Sequence, residues 1–235
     1  MTDQKLHTQP AALLKKEALA KYISSQIPDF SVRFKDKDVP WYLKFGWDVS
    51  KTFNKRIWTH VTTTVYPNVW FPNVESYEAD HIQRFSTLAH EYIHLEDMKD
   101  RGVGLFTFLY GFPQILALGA LLAPLGFFGF LYAPLFSFFS TLLLLIAVIP
   151  FGAPWRSHYE ERGYIMSMCC KHWAGRPLDG YPEWLAKTFT NSSYWWMRID
   201  ENEALIRFNH LRSEVEKGAF DDEPIYKDVR DIWLS

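Results

Sequence analysis

The spacing of hydrophobic and polar positions changes several times along the chain, and each change predicts an element. Over residues 9–27, Leu14, Ala18 and Tyr22 recur at helical spacing with Pro10 close to the start, which predicts a helix with those three on its apolar side. Around residues 58–71 the period shortens to that of extended chain. The β-branched run HVTTTVYPNVWF predicts one or two strands, and Pro67 favours an edge or a bulge. From Asp80 onward Ile82, Phe85, Ala89 and Tyr92 return every three or four positions, predicting a long helix that Gly102 ends. A further helix is expected over residues 157–171. An aromatic-rich stretch follows with Trp173, Trp184, Tyr194, Trp195 and Trp196, read as core or membrane-interface material. Residues 201–217 predict an amphipathic helix with Leu205, Phe208 and Leu211 as its apolar side.

One stretch has no polar period at all. Residues 102–155 are 54 consecutive positions without Asp, Glu, Lys, Arg or His, and Gln114 is the only side-chain amide among them. A membrane-crossing helix needs about 20 apolar residues, so the run has room for two passes and a turn. The arms are expected at residues 105–123 and 135–149, with a kink at Pro113, the reversal at Pro124 and Pro134, and an end at Pro150 and Pro154. Lys99, Arg101, Arg156 and Arg162 flank the run, and the positive-inside rule puts that side in the cytoplasm. The expectation is an integral membrane protein with the lipid bilayer as a partner. Residues 1–101 and 156–235 would fold together as one cytoplasmic catalytic domain, with 102–155 as a transmembrane hairpin. A hairpin buried in protein or in an assembly is the competing reading.

Composition narrows the picture. At 235 residues the chain suits one catalytic unit, and a net charge of −2 without a basic run interleaved by aromatics excludes a nucleic-acid partner. The charge is uneven: residues 1–60 carry 11 Lys or Arg against 6 Asp or Glu. That basic region suits anionic lipid headgroups or a solvated surface. Cys169 and Cys170 are adjacent, which rules out a disulfide framework and leaves them as small buried hydrophobes. The opening MTDQKLHTQP lacks the apolar core of a secretory signal, so reducing conditions are expected for the soluble part.

The candidate chemistry lies in TLAHEYIHLED, which contains His90, Glu91 and His94. Positions i and i+4 of a helix share a face one turn apart, so two imidazoles can grip one zinc ion while Glu91 points at its bound water. Zinc lowers the pKa of such a water toward 7, and the carboxylate takes the proton as the water attacks a peptide carbonyl. Catalytic zinc takes three protein ligands, and the run RSHYEERGYIMSM downstream offers His158, Glu160 and Glu161.

The order of HExxH, apolar hairpin and downstream glutamate resembles the gluzincin class of zinc peptidases, and within it the membrane metallopeptidases of the HtpX group. In that group a glutamate ligand opens the helix after the hairpin in a pattern like ExxAD. The resemblance implies Glu160 as third ligand, with Glu161 and His158 as competitors and Gly163 in the small position. Tyr164 stands where the pattern has an aspartate that orients a histidine ligand, and Asp97 is the candidate replacement. Arg162 and Tyr164 are candidate oxyanion donors, with ion pairing and core packing as their structural alternatives. The resemblance covers roughly residues 80–170, and a small phage-associated relative of the class is one reading.

The fold expected is thus α+β and mainly helical, a minimal zincin-like metallopeptidase domain interrupted by a two-helix transmembrane hairpin. The function expected is a membrane-anchored zinc endopeptidase that uses Glu91 as general base on a protein or peptide lying along the strand near residues 61–65. The alternative is a non-catalytic zinc-containing membrane or assembly protein, for example a virion-associated or bilayer-perturbing one.

Overall fold

The computed structural model describes residues 9–40, 61–113, 135, 152–191 and 197–235. They are mainly helical with one three-stranded sheet, and the chain divides into two compact units. Met1–Arg101, Glu161–Asp179 and Leu211–Ser235 form the first unit; Gly102–Glu160 and Gly180–His210 form the second.

In the first unit α1 (Gln9–Gln26) leads to β1 (Val32–Phe34), β2 (Thr63–Val65) and β3 (Asn68–Phe71). The sheet order is β1-β3-β2, with β1 parallel and β2 antiparallel to β3, so among the described residues β2 is an edge strand. A short helix α2 (Val74–Glu78) precedes the long α3 (His81–Arg101). Asp80 opens α3, its carboxylate accepting the backbone N–H of Gln83 at 3.1 Å. Lys99 and Arg101 face the negative end of the helix dipole, and Gly102 at φ +83° takes the conformation that ends it. Ile82, Phe85, Ala89 and Tyr92 are all buried, as their spacing predicts. Phe85 meets Trp233 of α8 (Pro224–Leu234) at 4.9 Å between ring centroids. Burying one such ring contributes about 2–3 kcal/mol.

The buried stripe of α1 is not the predicted one. Leu14 is 66% exposed and Ala18 is exposed, whereas Ala12, Lys16, Leu19 and Ile23 face the core. Lys16 makes this face possible. Its Nζ donates to Glu78 Oε1 at 3.1 Å and Tyr77 O at 3.2 Å, and lies 3.6 Å from the Tyr77 ring centroid.

The second unit contains α4 (Val103–Gly111), the start of α5 (Pro154–Trp173), α6 (Tyr181–Thr190) and the start of α7 (Glu201–Glu216). Phe106 packs on Tyr159 at 4.5 Å and Phe189 on Phe208 at 4.8 Å between centroids. Backbone bonds from Ala153 N to Met197 O at 3.2 Å and from Arg198 N to Phe189 O at 2.9 Å close the helix ends. The units divide along α5 after Glu160 and along α7 after His210.

The transmembrane hairpin expected over 102–155 is corrected by this structure: among the described residues no helix is long and apolar enough to cross a membrane. The charge-free run begins with α4, which has nine residues where about 20 are needed. Pro113 ends this helix instead of kinking it. The residue before a proline is pushed out of the α region, and Phe112 is extended at φ −76°, ψ 139°. Residues 114–134 and 136–151, on which most of both expected arms fall, lie outside the described residues. The integral-membrane location with a cytoplasmic catalytic side rested on that hairpin and falls with it.

Candidate metal centre

Helix α3 presents His90, Glu91 and His94, all three buried. The Nε2 atoms of His90 and His94 are 3.2 Å apart. Two nitrogens held tetrahedrally at about 2.0–2.1 Å from one zinc ion would lie about 3.3–3.4 Å apart, so the imidazoles converge as a shared ion requires. One further candidate joins them: the ligating atoms of His90, His94 and Glu160 all lie within 4.8 Å of one another. A buried set of two imidazole nitrogens and one carboxylate oxygen fits catalytic zinc and leaves a fourth position.

One face of α5 builds the cradle for His90. Glu160, Gly163, Tyr164 and Ser167 follow the i, i+3, i+4, i+7 pattern, so a continuous helix presents all four on one side. Gly163 is needed there. A Cβ at that position would stand 2.7 Å from His90 Nε2 and Cε1, closer than any side chain tolerates. The Tyr164 ring meets the imidazole edge-on at 4.7 Å. Ser167 Oγ is 3.4 Å from His90 Nδ1; with the proton on Nδ1 donated to this oxygen, the Nε2 lone pair is left for an ion.

Glu160 is held from its other side. The Tyr110 hydroxyl donates a short hydrogen bond to Glu160 Oε1, and Arg156 Nε donates to Tyr110 O at 2.9 Å. Burial lowers the pKa of the Arg156 guanidinium, with the Glu160 carboxylate opposing the shift. Glu91 is held by the sheet, accepting the Thr64 hydroxyl of β2 on Oε2 at 2.6 Å.

The other sequence-predicted residues occupy different places. His158 is exposed, and Glu161 is buried outside the His90, His94, Glu160 group. Arg162 and Asp97 form an ion pair that ties α5 to α3, and the Tyr226 hydroxyl donates to Arg162 O at 3.2 Å. The Arg162 guanidinium is therefore engaged by Asp97, and Tyr164 packs on a histidine ring. Thr64, Tyr110 and Ser167 were not singled out from sequence. Thr64 lies in the predicted strand run, and Ser167 shares a helical face with Glu160, so both had a signal. Tyr110 had none, since its partner is 50 residues away. Cys169 and Cys170 are buried, and desolvation raises both thiol pKa values, which leaves them inert.

Compared with known protein families, with curated proteins and with solved structures, the chain has no match.

Proposed function

We propose that the protein is a zinc-dependent endopeptidase in which His90, His94 and Glu160 hold the ion and Glu91 is the general base. The observation that carries this reading is the convergence of His90 and His94 Nε2, 3.2 Å apart, with Glu160 in the same group. When bound, zinc supplies Lewis acidity that brings a water toward ionisation near neutral pH. Glu91 takes the proton of the attacking water and passes it to the leaving amine. The Thr64 hydroxyl occupies Glu91 Oε2, which keeps Oε1 for that proton and fixes the carboxylate plane. A peptide in extended form adds to the edge of β2, whose backbone lies beside Glu91 through Thr64. A site built only for structure has no use for a carboxylate at Glu91 that is not among the ligating group.

Zinc content and cleavage of a labelled unfolded protein, measured for the wild type, Glu91→Gln and Glu160→Gln, test the reading. Glu91→Gln should keep its zinc and lose about 10²–10⁴-fold in kcat. Glu160→Gln should lose zinc affinity. Undiminished hydrolysis in Glu91→Gln removes the general base, and full zinc affinity in Glu160→Gln removes the ligand assignment.

A further inference from the structure

Lys35 directly follows β1, and its buried ammonium has no part in the chemistry described so far. Taking a cation out of water is unfavourable unless polar partners replace its hydration. The backbone N–H of Lys35 donates to Phe71 O at 2.9 Å and so extends the pairing of β1 with β3. Its side chain reaches the other edge of the sheet, where Nζ donates to Val61 O at 2.7 Å and to Thr63 Oγ1 at 2.8 Å. Continuing the register of Thr63 with Trp70 puts Val61 opposite Pro72, which has no N–H to offer. The ammonium provides a donor where the neighbouring strand has none.

Adjacent residues of a strand face opposite sides, so Thr63 and Thr64 grip β2 from both. Thr63 is held by Lys35, and Thr64 in turn holds Glu91 Oε2 at 2.6 Å. Burial lowers the Lys35 pKa to about 8 against the opposing pull of the Glu91 carboxylate, so the two charges sense each other through the sheet.

We propose that Lys35 is a positioning residue for Glu91: by holding Val61 and Thr63 it fixes edge strand β2 and keeps the Thr64 hydroxyl on the Glu91 carboxylate. The kinetic consequence rests on the peptidase reading above, whereas the geometric consequence does not.

The test compares the full zinc-loaded chain with Lys35→Met, Lys35→Arg, Thr64→Val and the Lys35→Met/Thr64→Val double variant. Amide exchange of residues 61–65 should rise about ten-fold in Lys35→Met with exchange across α3 unchanged, and Lys35→Arg should restore most of the protection. The 13C shift of the Glu91 carboxylate should move in the same direction in Lys35→Met and Thr64→Val. On labelled casein, kcat should fall about ten-fold in each single variant with KM and zinc affinity held within two-fold. The double variant should fall no further, because both substitutions cut one chain of contacts. Unchanged exchange in Lys35→Met overturns the proposal. So does raised exchange with an unmoved Glu91 shift, or kcat losses that multiply in the double variant. If the wild type cleaves nothing, the peptidase reading falls, and exchange with the Glu91 shift still decides the role of Lys35.

Discussion

Lys16 and Lys35 are both buried cations of the first unit, 1% and 9% exposed, and each crosses from one element to another. Their surroundings differ in one respect. Lys16 has a carboxylate in contact, Glu78 at 3.1 Å, together with the face of the Tyr77 ring. Lys35 Nζ reaches the Val61 carbonyl and the Thr63 hydroxyl of the sheet, and the Glu91 carboxylate opposes the lowering of its pKa by burial. The first arrangement neutralises the charge where it sits and staples α1 to α2. The second ties the end of β1 to the edge strand that holds the candidate general base through Thr64. A buried lysine that staples two helices serves the fold, and one that holds the strand gripping Glu91 bears on the site.

That contrast can be broken at several points. The largest effect is expected for Lys35 as a function of pH. Its folded pKa of about 8 lies below the ordinary lysine value of 10.5. Between those values the unfolded chain binds the proton that the folded chain has released, so stability rises with pH through the window and the penalty is fully present below pH 8. The stability of the wild type relative to Lys35→Met should therefore rise by about 3 kcal/mol from pH 8 to 10.5, read by chemical denaturation at each pH. A flat difference would show that the Lys35 charge is not under strain.

Next comes the cradle that neither lysine touches. Gly163→Ala should favour the helix by about 1 kcal/mol on propensity alone. The added Cβ would instead displace His90, and zinc affinity should drop about 100-fold by chelator competition. A stabilised variant with unchanged affinity would mean that the His90 ring is free to move aside. Glu78→Ala should then cost about 1–2 kcal/mol, since it leaves the Lys16 ammonium buried while the carboxylate removed is half-exposed and partly screened. Zinc affinity should not change, and a change would join the two regions that the comparison separates. The smallest effect is expected for Tyr110→Phe, which removes the hydroxyl on Glu160 Oε1 and should lower zinc affinity about ten-fold by the same competition.

Much of the first unit could be read before folding. The long helix was legible from Asp80 to Gly102 because capping and periodicity are decided by residues within a turn of each other. The strand run around residues 58–71 was legible for the same reason, and β2 and β3 both fall inside it. The apolar side of α1 was not. Leu14, Ala18 and Tyr22 make a reasonable stripe, but the stripe that wins contains a lysine, and only Glu78 and Tyr77 make that lysine acceptable. With three residues, β1 is too short for alternation to show. Helix α8 did carry a signal, with Pro224 in its first turn and Tyr226, Val229 and Trp233 at helical spacing and buried. The charge-free run misled because an apolar composition says how residues partition and not where a helix stops. At Pro113 local backbone sterics stop α4.

The sequence alone determined that His90 and His94 share a helical face with Glu91 between them, and that Glu160, Gly163, Tyr164 and Ser167 share another. Both follow from the 3.6-residue period, which needs no partner. Only the tertiary structure decided that these faces meet, that Gly163 is where a side chain would strike His90, and that Thr64 and Tyr110 hold the two carboxylates. It also decided which lysine serves the fold and which stands beside the site. Contacts across 27 or 50 residues form only when the packing of the whole unit repays the entropy of closing the chain between them, and no local pattern encodes that sum.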